Sequence, residues 1–193
     1  MAYAWGQERL GDILQEFTEK SVVDDQYPVL SSTNTGVEPR GGRVSGEHNK
    51  GYKIIDDGDL VFSPQNLWLG NINVNHIGRG IVSPSYKTMK FVNFCSDFIE
   101  PVLRSEAMLN QYKLSSVQGA SVVRRNLDMD LFNDILVPAP SMSEQRKIGD
   151  FFNHLKSFIS LHQRSPFLAQ TSPANALMTR SMSLFSSSWM MWR

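Results

Sequence analysis

The chain has 193 residues, 41% hydrophobic and 20% charged, with a formal net charge of zero, the composition of an ordinary globular protein able to bury one good core. No stretch is long and apolar enough to span a bilayer. Glu8, Asp12, Glu16 and Glu19 stand where a secretory signal would need a basic start and an apolar run, so a cytoplasmic location and no membrane partner are expected. Cys95 is the single cysteine, which excludes an intrachain disulfide and a multi-cysteine zinc site; among Phe91, Val92, Phe94 and Phe98 it is expected to be a packed thiol.

In chain order, residues 6–20 place Leu10, Ile13, Leu14 and Phe17 at helical spacing, and residues 27–33 predict a strand. Residues 33–51 predict a loop: large apolar groups are almost absent, and five glycines surround Arg40, Arg43, His48 and Lys50. Strands are predicted over 53–56, 60–63, 72–75 and 80–83, separated by Gly, Asn and Pro turn signals, and a helix over 95–112. Asp56, Asp57 and Asp59 flank Gly58 and predict a solvated turn rather than a metal site. The body is therefore α+β, a mixed β-sheet domain with helices.

Pro138 and Pro140 hold the chain extended, Ser143 offers a hydroxyl to the free N–H groups of a first helical turn, and Glu144 suits the positive end of the helix dipole. Ile148, Phe152, Leu155, Ile159 and His162 then follow alternating steps of four and three, widened by Phe151 and Phe158. That is the a/d spacing of a coiled-coil seam, so residues 143–164 read either as a helix that packs lengthwise on a partner or as an amphipathic helix folded onto its own domain. Residues 165–193 break the pattern, with no acid, four of the nine methionines and two of the four tryptophans, and are expected to be a disordered tail, the product of a truncation or frameshift.

The charges are unevenly spread. Residues 1–25 hold six acids and two bases, whereas residues 60–125 hold seven bases (Arg79, Lys87, Lys90, Arg104, Lys113, Arg124, Arg125) and three acids. A basic middle could supply phosphate contacts while the acidic end faces elsewhere. Arg40, Arg43, His48, Asn49 and Lys50 combine a flexible loop with groups that can donate to guanine or pair with adenine; the alternative is a mobile loop with solvated charges. Lys87 and Lys90 follow a predicted strand, where they are either phosphate contacts or an exposed strand end. Residues 115–121 are small and polar and lead to Arg124 and Arg125; Gln118 there is either a base-reading group or part of a capped turn.

Catalytic machinery is missing from the sequence. There is no phosphate-binding G-x-x-x-x-G-K-[ST] loop, no G-x-G-x-x-G and no G-x-S-x-G elbow, no lysine follows an acid by two residues, and the four histidines lack metal-ligand spacing. No catalytic residue and no metal site are expected.

Several short pieces carry a family resemblance. Trp5, Leu10, Gly11 and Asp12 form a W-x-x-x-x-L-G-D opening. Tyr27-Pro28-Val29-Leu30-Ser31, Gly58-Asp59-Leu60-Val61-Phe62 and Gly80-Ile81-Val82-Ser83-Pro84 follow in order, and Pro138, Pro140, Glu144, Gln145, Ile148 and Phe152 form a proline-to-helix junction. In this order the pieces resemble the specificity subunits of type I restriction-modification systems across roughly residues 5–164, in a half-length or truncated form with one target recognition domain. The resemblance implies an N-terminal segment over 1–20, a DNA-binding recognition domain over 21–140 and a spacer or dimerisation helix over 143–164 whose seam is Ile148, Phe152, Leu155 and Ile159. It further implies that the chain is not an enzyme. Double-stranded DNA and methyltransferase subunits would be direct partners and restriction subunits indirect ones, with homodimerisation open. No cofactor would be bound by this chain, S-adenosylmethionine and ATP being held by partner subunits. Two alternatives stay open: a fragment that binds only methyltransferase subunits, and a stand-alone cytoplasmic enzyme using Cys95 or the Asp56, Asp57, Asp59 cluster.

Overall fold

The computed structural model describes residues 5–41, 48–119 and 124–164. The chain divides into two compact units, one ending at Asp150 and one beginning at Phe151.

In the first unit, a four-stranded antiparallel sheet of order β2-β9-β6-β7 is built from β2 (Leu14–Glu16), β9 (Lys87–Phe91), β6 (Leu60–Phe62) and β7 (Ile72–Val74). Its centre is β6, whose three residues are all fully buried because both faces of the strand are covered. Successive side chains point to opposite faces. Leu60 and Phe62 therefore enter a large cluster with Leu10, Ile99, Tyr112 and Phe132, while Val61 enters a smaller one with Leu30, Ile55 and Val82. The large cluster holds a ring stack, Phe62 to Phe132 at 5.2 Å and Phe132 to Tyr112 at 5.8 Å between centroids. The small cluster is closed by β5 (Lys53–Ile55) paired with β8 (Gly80–Val82), and by β3 (Leu30–Ser32) paired with β4 (Val37–Pro39). Gly80 is required here, since a Cβ at that position would lie 2.4 Å from Leu30 Cδ1.

The helical expectation for residues 6–20 is corrected. The chain instead forms β1 (Gly6–Arg9), a single turn α1 (Leu10–Ile13) and then β2. Leu10, Ile13 and Leu14 are buried as their spacing requires, but β1 pairs with β12 (Leu136–Ala139) and β2 with β9, so two ladders from distant strands replace helical hydrogen bonds. The predicted helix over 95–112 is two helices, α2 (Ser96–Leu103) and α3 (Glu106–Leu114). Ser105 breaks them by accepting from the Met108 N–H as the cap of α3, and the Tyr112 hydroxyl, buried and pushed well above the usual phenol range, donates to Leu103 O at 3.0 Å. A hairpin of β10 (Ser116–Gln118) and β11 (Arg125–Leu127) and the short α4 (Met129–Asn133), capped by Asp128, lead into β12. The predicted 33–51 loop begins as a strand, β4, rather than as free coil.

The final helix, α5, runs Met142–Arg164. Its cap is Ser141, two residues before the predicted Ser143: the Ser141 hydroxyl faces the Glu144 N–H at 3.4 Å, and Glu144 Oε2 accepts from the Ser141 N–H at 3.1 Å and hydroxyl at 2.8 Å. This is a reciprocal capping box. Gln145 is buried, donating to Pro140 O and accepting from the Cys95 N–H, both at 2.9 Å. Ile148 packs on the large cluster, and Gly149 lies so close to α2 that a Cβ would meet Asp97 Cβ at 2.9 Å. Beyond Asp150, Phe151, Leu155, Phe158, Ile159 and Leu161 are exposed and Phe152 is half-buried. No described helix is long and apolar enough to cross a membrane.

Candidate nucleic-acid interface

The predicted DNA-facing residues separate into groups that the fold engages and groups that it presents. In the 33–51 segment, Arg40 follows β4, its N–H donating to Val29 O at 2.9 Å, and its exposed side chain has no partner among the described residues. Arg43 lies outside the described residues. The return of the segment is fastened to residues 21–25. Asp24 accepts from the Lys50 N–H at 2.7 Å and pairs with His48 Nδ1 at 3.1 Å, and these two interactions, the backbone one foremost, hold its carboxyl below the usual aspartate range. Asn49 is not a presented base reader: it is 4% exposed, its amide donating to Asp25 Oδ1 at 2.6 Å and accepting from the Asp25 N–H at 2.7 Å. The Lys50 side chain remains exposed.

Lys87 and Lys90 belong to β9 rather than to a loop beyond a strand, and both face acids. Lys87 Nζ reaches both carboxylate oxygens of Glu16 at 2.7 and 2.8 Å, because β9 pairs with β2. Lys90 Nζ bonds Asp59 Oδ1 at 2.9 Å and lies 4.6 Å from the Phe17 ring centroid. Asp59 is buried and also accepts from the Asp56 N–H, so the three-aspartate turn is only partly solvated. Arg79 bridges Glu19 and Asp56 and stacks over Tyr27. The acidic N-terminal segment therefore neutralises part of the basic middle instead of facing elsewhere.

Gln118 is exposed and sits opposite Arg125 in the β10–β11 register; Arg124 is exposed beside it, and the tip between them, 120–123, lies outside the described residues. Arg125 is half-buried and structural: Nε donates to Ser116 Oγ at 2.8 Å, and Nη2 to Ser116 O at 2.6 Å and Lys113 O at 3.3 Å. Lys113 stood among the basic residues of the middle without being singled out, and Ser141 as a cap and the buried role of Gln145 were not foreseen. For Ser141 a signal was present in the S-x-x-E spacing to Glu144.

The pieces that carry the sequence resemblance also meet in space. The opening segment lies against the junction through the β1–β12 register, Gly6 with Ala139 and Gln7 with Pro138.

A mixed α+β domain whose last strand leads into a capped helix is an arrangement also found in solved structures. No protein-family model and no curated protein sequence matches the chain. The HsdS subunit from Thermoanaerobacter tengcongensis is similar in structure, with a TM-score of 0.61 and 22% identity over 93% of this chain and 49% of that one. A chain of a type I R-M system, solved to explain its complex assembly and conformational transition, gives a TM-score of 0.62 and 20% identity over 100% of this chain and 52% of its own. The type I S subunit from M. genitalium gives 0.50 and 12% over 83% and 43%. The chain has the α+β fold of type I restriction-modification S subunits and spans about half the length of those solved chains.

Proposed function

We propose that this chain is a DNA-recognition subunit of a type I restriction-modification complex, binding double-stranded DNA through the β-rich domain and methyltransferase subunits through α5. The observation that carries this reading is the fold match, which extends over 93% to 100% of the chain in two solved structures. Arg40, Lys50, Gln118 and Arg124 are the exposed candidates for DNA contact. His48, Lys87 and Lys90 are tied to acids and would add less. The exposed apolar residues of α5 beyond Asp150 supply the partner face. In this reading the chain performs no chemistry, and S-adenosylmethionine and ATP bind partner subunits.

The test is co-expression of the full chain with type I methyltransferase subunits, followed by size-exclusion chromatography and mapping of methylated DNA. Co-elution and site-specific methylation are expected. Phe152→Asp with Ile159→Asp should abolish co-elution while circular dichroism keeps its strand signal, because these two seam residues, unlike Ile148, follow Asp150, the last residue of the first unit. A chain that neither co-elutes nor directs methylation overturns the proposal. A second reading, a fragment that binds methyltransferase subunits without reading DNA, is favoured by the acid pairing of Arg79, Lys87 and Lys90. Co-elution without DNA binding would select it.

A further inference from the structure

The corner where α3 ends and the β10–β11 hairpin begins holds two cations that the acids do not reach. Asn110, Lys113, Leu114, Ser116 and Arg125 line a cavity of about 490 Å³ there. None of the ion pairs among the described residues involves Lys113 or Arg125. The guanidinium is already oriented: the bonds to Ser116 and Lys113 engage Nε and Nη2, and Nη1 has no partner among the described residues. Lys113 Nζ stands 5.8 Å from the Trp68 ring centroid.

A helix C-terminus ordinarily repels anions through its free carbonyls. Here Arg125 and the Ser116 hydroxyl cover Lys113 O, and the Ser115 N–H covers Gln111 O at 2.8 Å. What faces the cavity is two positive charges, a guanidinium whose Nη1 is left to donate to a phosphate oxygen and a point-charge ammonium. Leu114, 77% exposed, lines this corner and offers apolar surface that a sugar–phosphate chain can use and a small free anion cannot.

We infer that this corner is a phosphate-binding site for the DNA backbone, with Lys113 and Arg125 as its ligands and Leu114 against the neighbouring sugar. The inference rests on the DNA-binding reading above and adds Lys113 as the partner of Arg125 in one contact.

The experiment titrates the full chain with a DNA duplex at several salt concentrations, for the wild type and for Lys113→Gln, which leaves the Arg125 bonds intact. In parallel, inorganic phosphate is titrated while the amide resonances of Asn110, Lys113 and Ser116 are followed. Lys113→Gln should reduce the slope of log affinity against log salt by about 0.9, the loss of one phosphate contact. Phosphate should shift the three resonances in the wild type and not in the variant. An unchanged slope in a variant with wild-type melting temperature overturns the inference. So does a site where phosphate shifts the resonances and DNA does not displace it, which would identify a small free phosphate as the ligand. If the wild type binds no DNA, the DNA-binding reading falls, and with it the backbone assignment; the phosphate titration then shows whether an anion site exists at all.

Discussion

Two places in the domain carry a pair of cations, and they behave oppositely. On β9, Lys87 and Lys90 look in sequence like a basic strand end, yet each meets a carboxylate contributed from 71 and 31 residues away. At the α3–β10 corner, Lys113 and Arg125 meet backbone carbonyls, a hydroxyl and an indole ring, and keep their full charge. Potential at a surface follows pairing, and pairing follows strand register. The β2–β9 ladder puts Glu16 opposite Met89, one residue from Lys90 and two from Lys87, whereas no acid shares the β10–β11 register.

The strongest test of this contrast is Asp59→Ala. Asp59 is 4% exposed and holds both Lys90 and the Asp56 N–H, so its loss should cost about 2–3 kcal/mol in urea unfolding; a cost under about 0.5 kcal/mol would make the pair incidental. Next comes Arg125→Ala, which takes a donor from Ser116 O and one of the two donors from Lys113 O and should cost about 1–2 kcal/mol, with Arg125→Lys intermediate because it keeps charge but not the planar donor set. Glu16→Gln should change stability by less than about 1 kcal/mol, since the pair is partly solvated, while releasing Lys87 and making the salt dependence of DNA binding steeper. A flat response there would show that β9 faces away from DNA. The smallest effect is at Asp24. Its carboxyl titrates below the ordinary value of 3.8 when folded, so its contribution is complete above that value and disappears as pH falls through the lower folded value. Carboxyl titration by NMR should show the depressed value, and His48→Ala should move it upward only in part, because the Lys50 N–H remains.

The strands over 53–56, 60–63, 72–75 and 80–83 were legible because apolar runs such as Leu60-Val61-Phe62 are punctuated by Gly, Asn and Pro, a local signal. Residues 6–20 misled because Leu10, Ile13 and Leu14 satisfy helical spacing and a strand–turn–strand equally well, and the deciding partner, β12, lies about 130 residues on. The same limit governs the site. That Lys87 is neutralised, that Asn49 turns inward onto Asp25 and that Arg125 grips the end of α3 are consequences of tertiary register, invisible in residue order. Ser105 and Ser141 were local signals passed over: each lies three residues before the N–H or acid that it meets.

The β1–β12 ladder has a consequence for how such a domain can be handled. Antiparallel partners such as Gly6 and Ala139 stand about 5 Å apart, so the first strand of the body and the strand that leads into α5 lie side by side. A short bridge joining those positions would close the backbone into a ring that could be reopened elsewhere. A graft into another protein would have to carry the first turns of α5 as well, since Gln145 and Ile148 pack into the body.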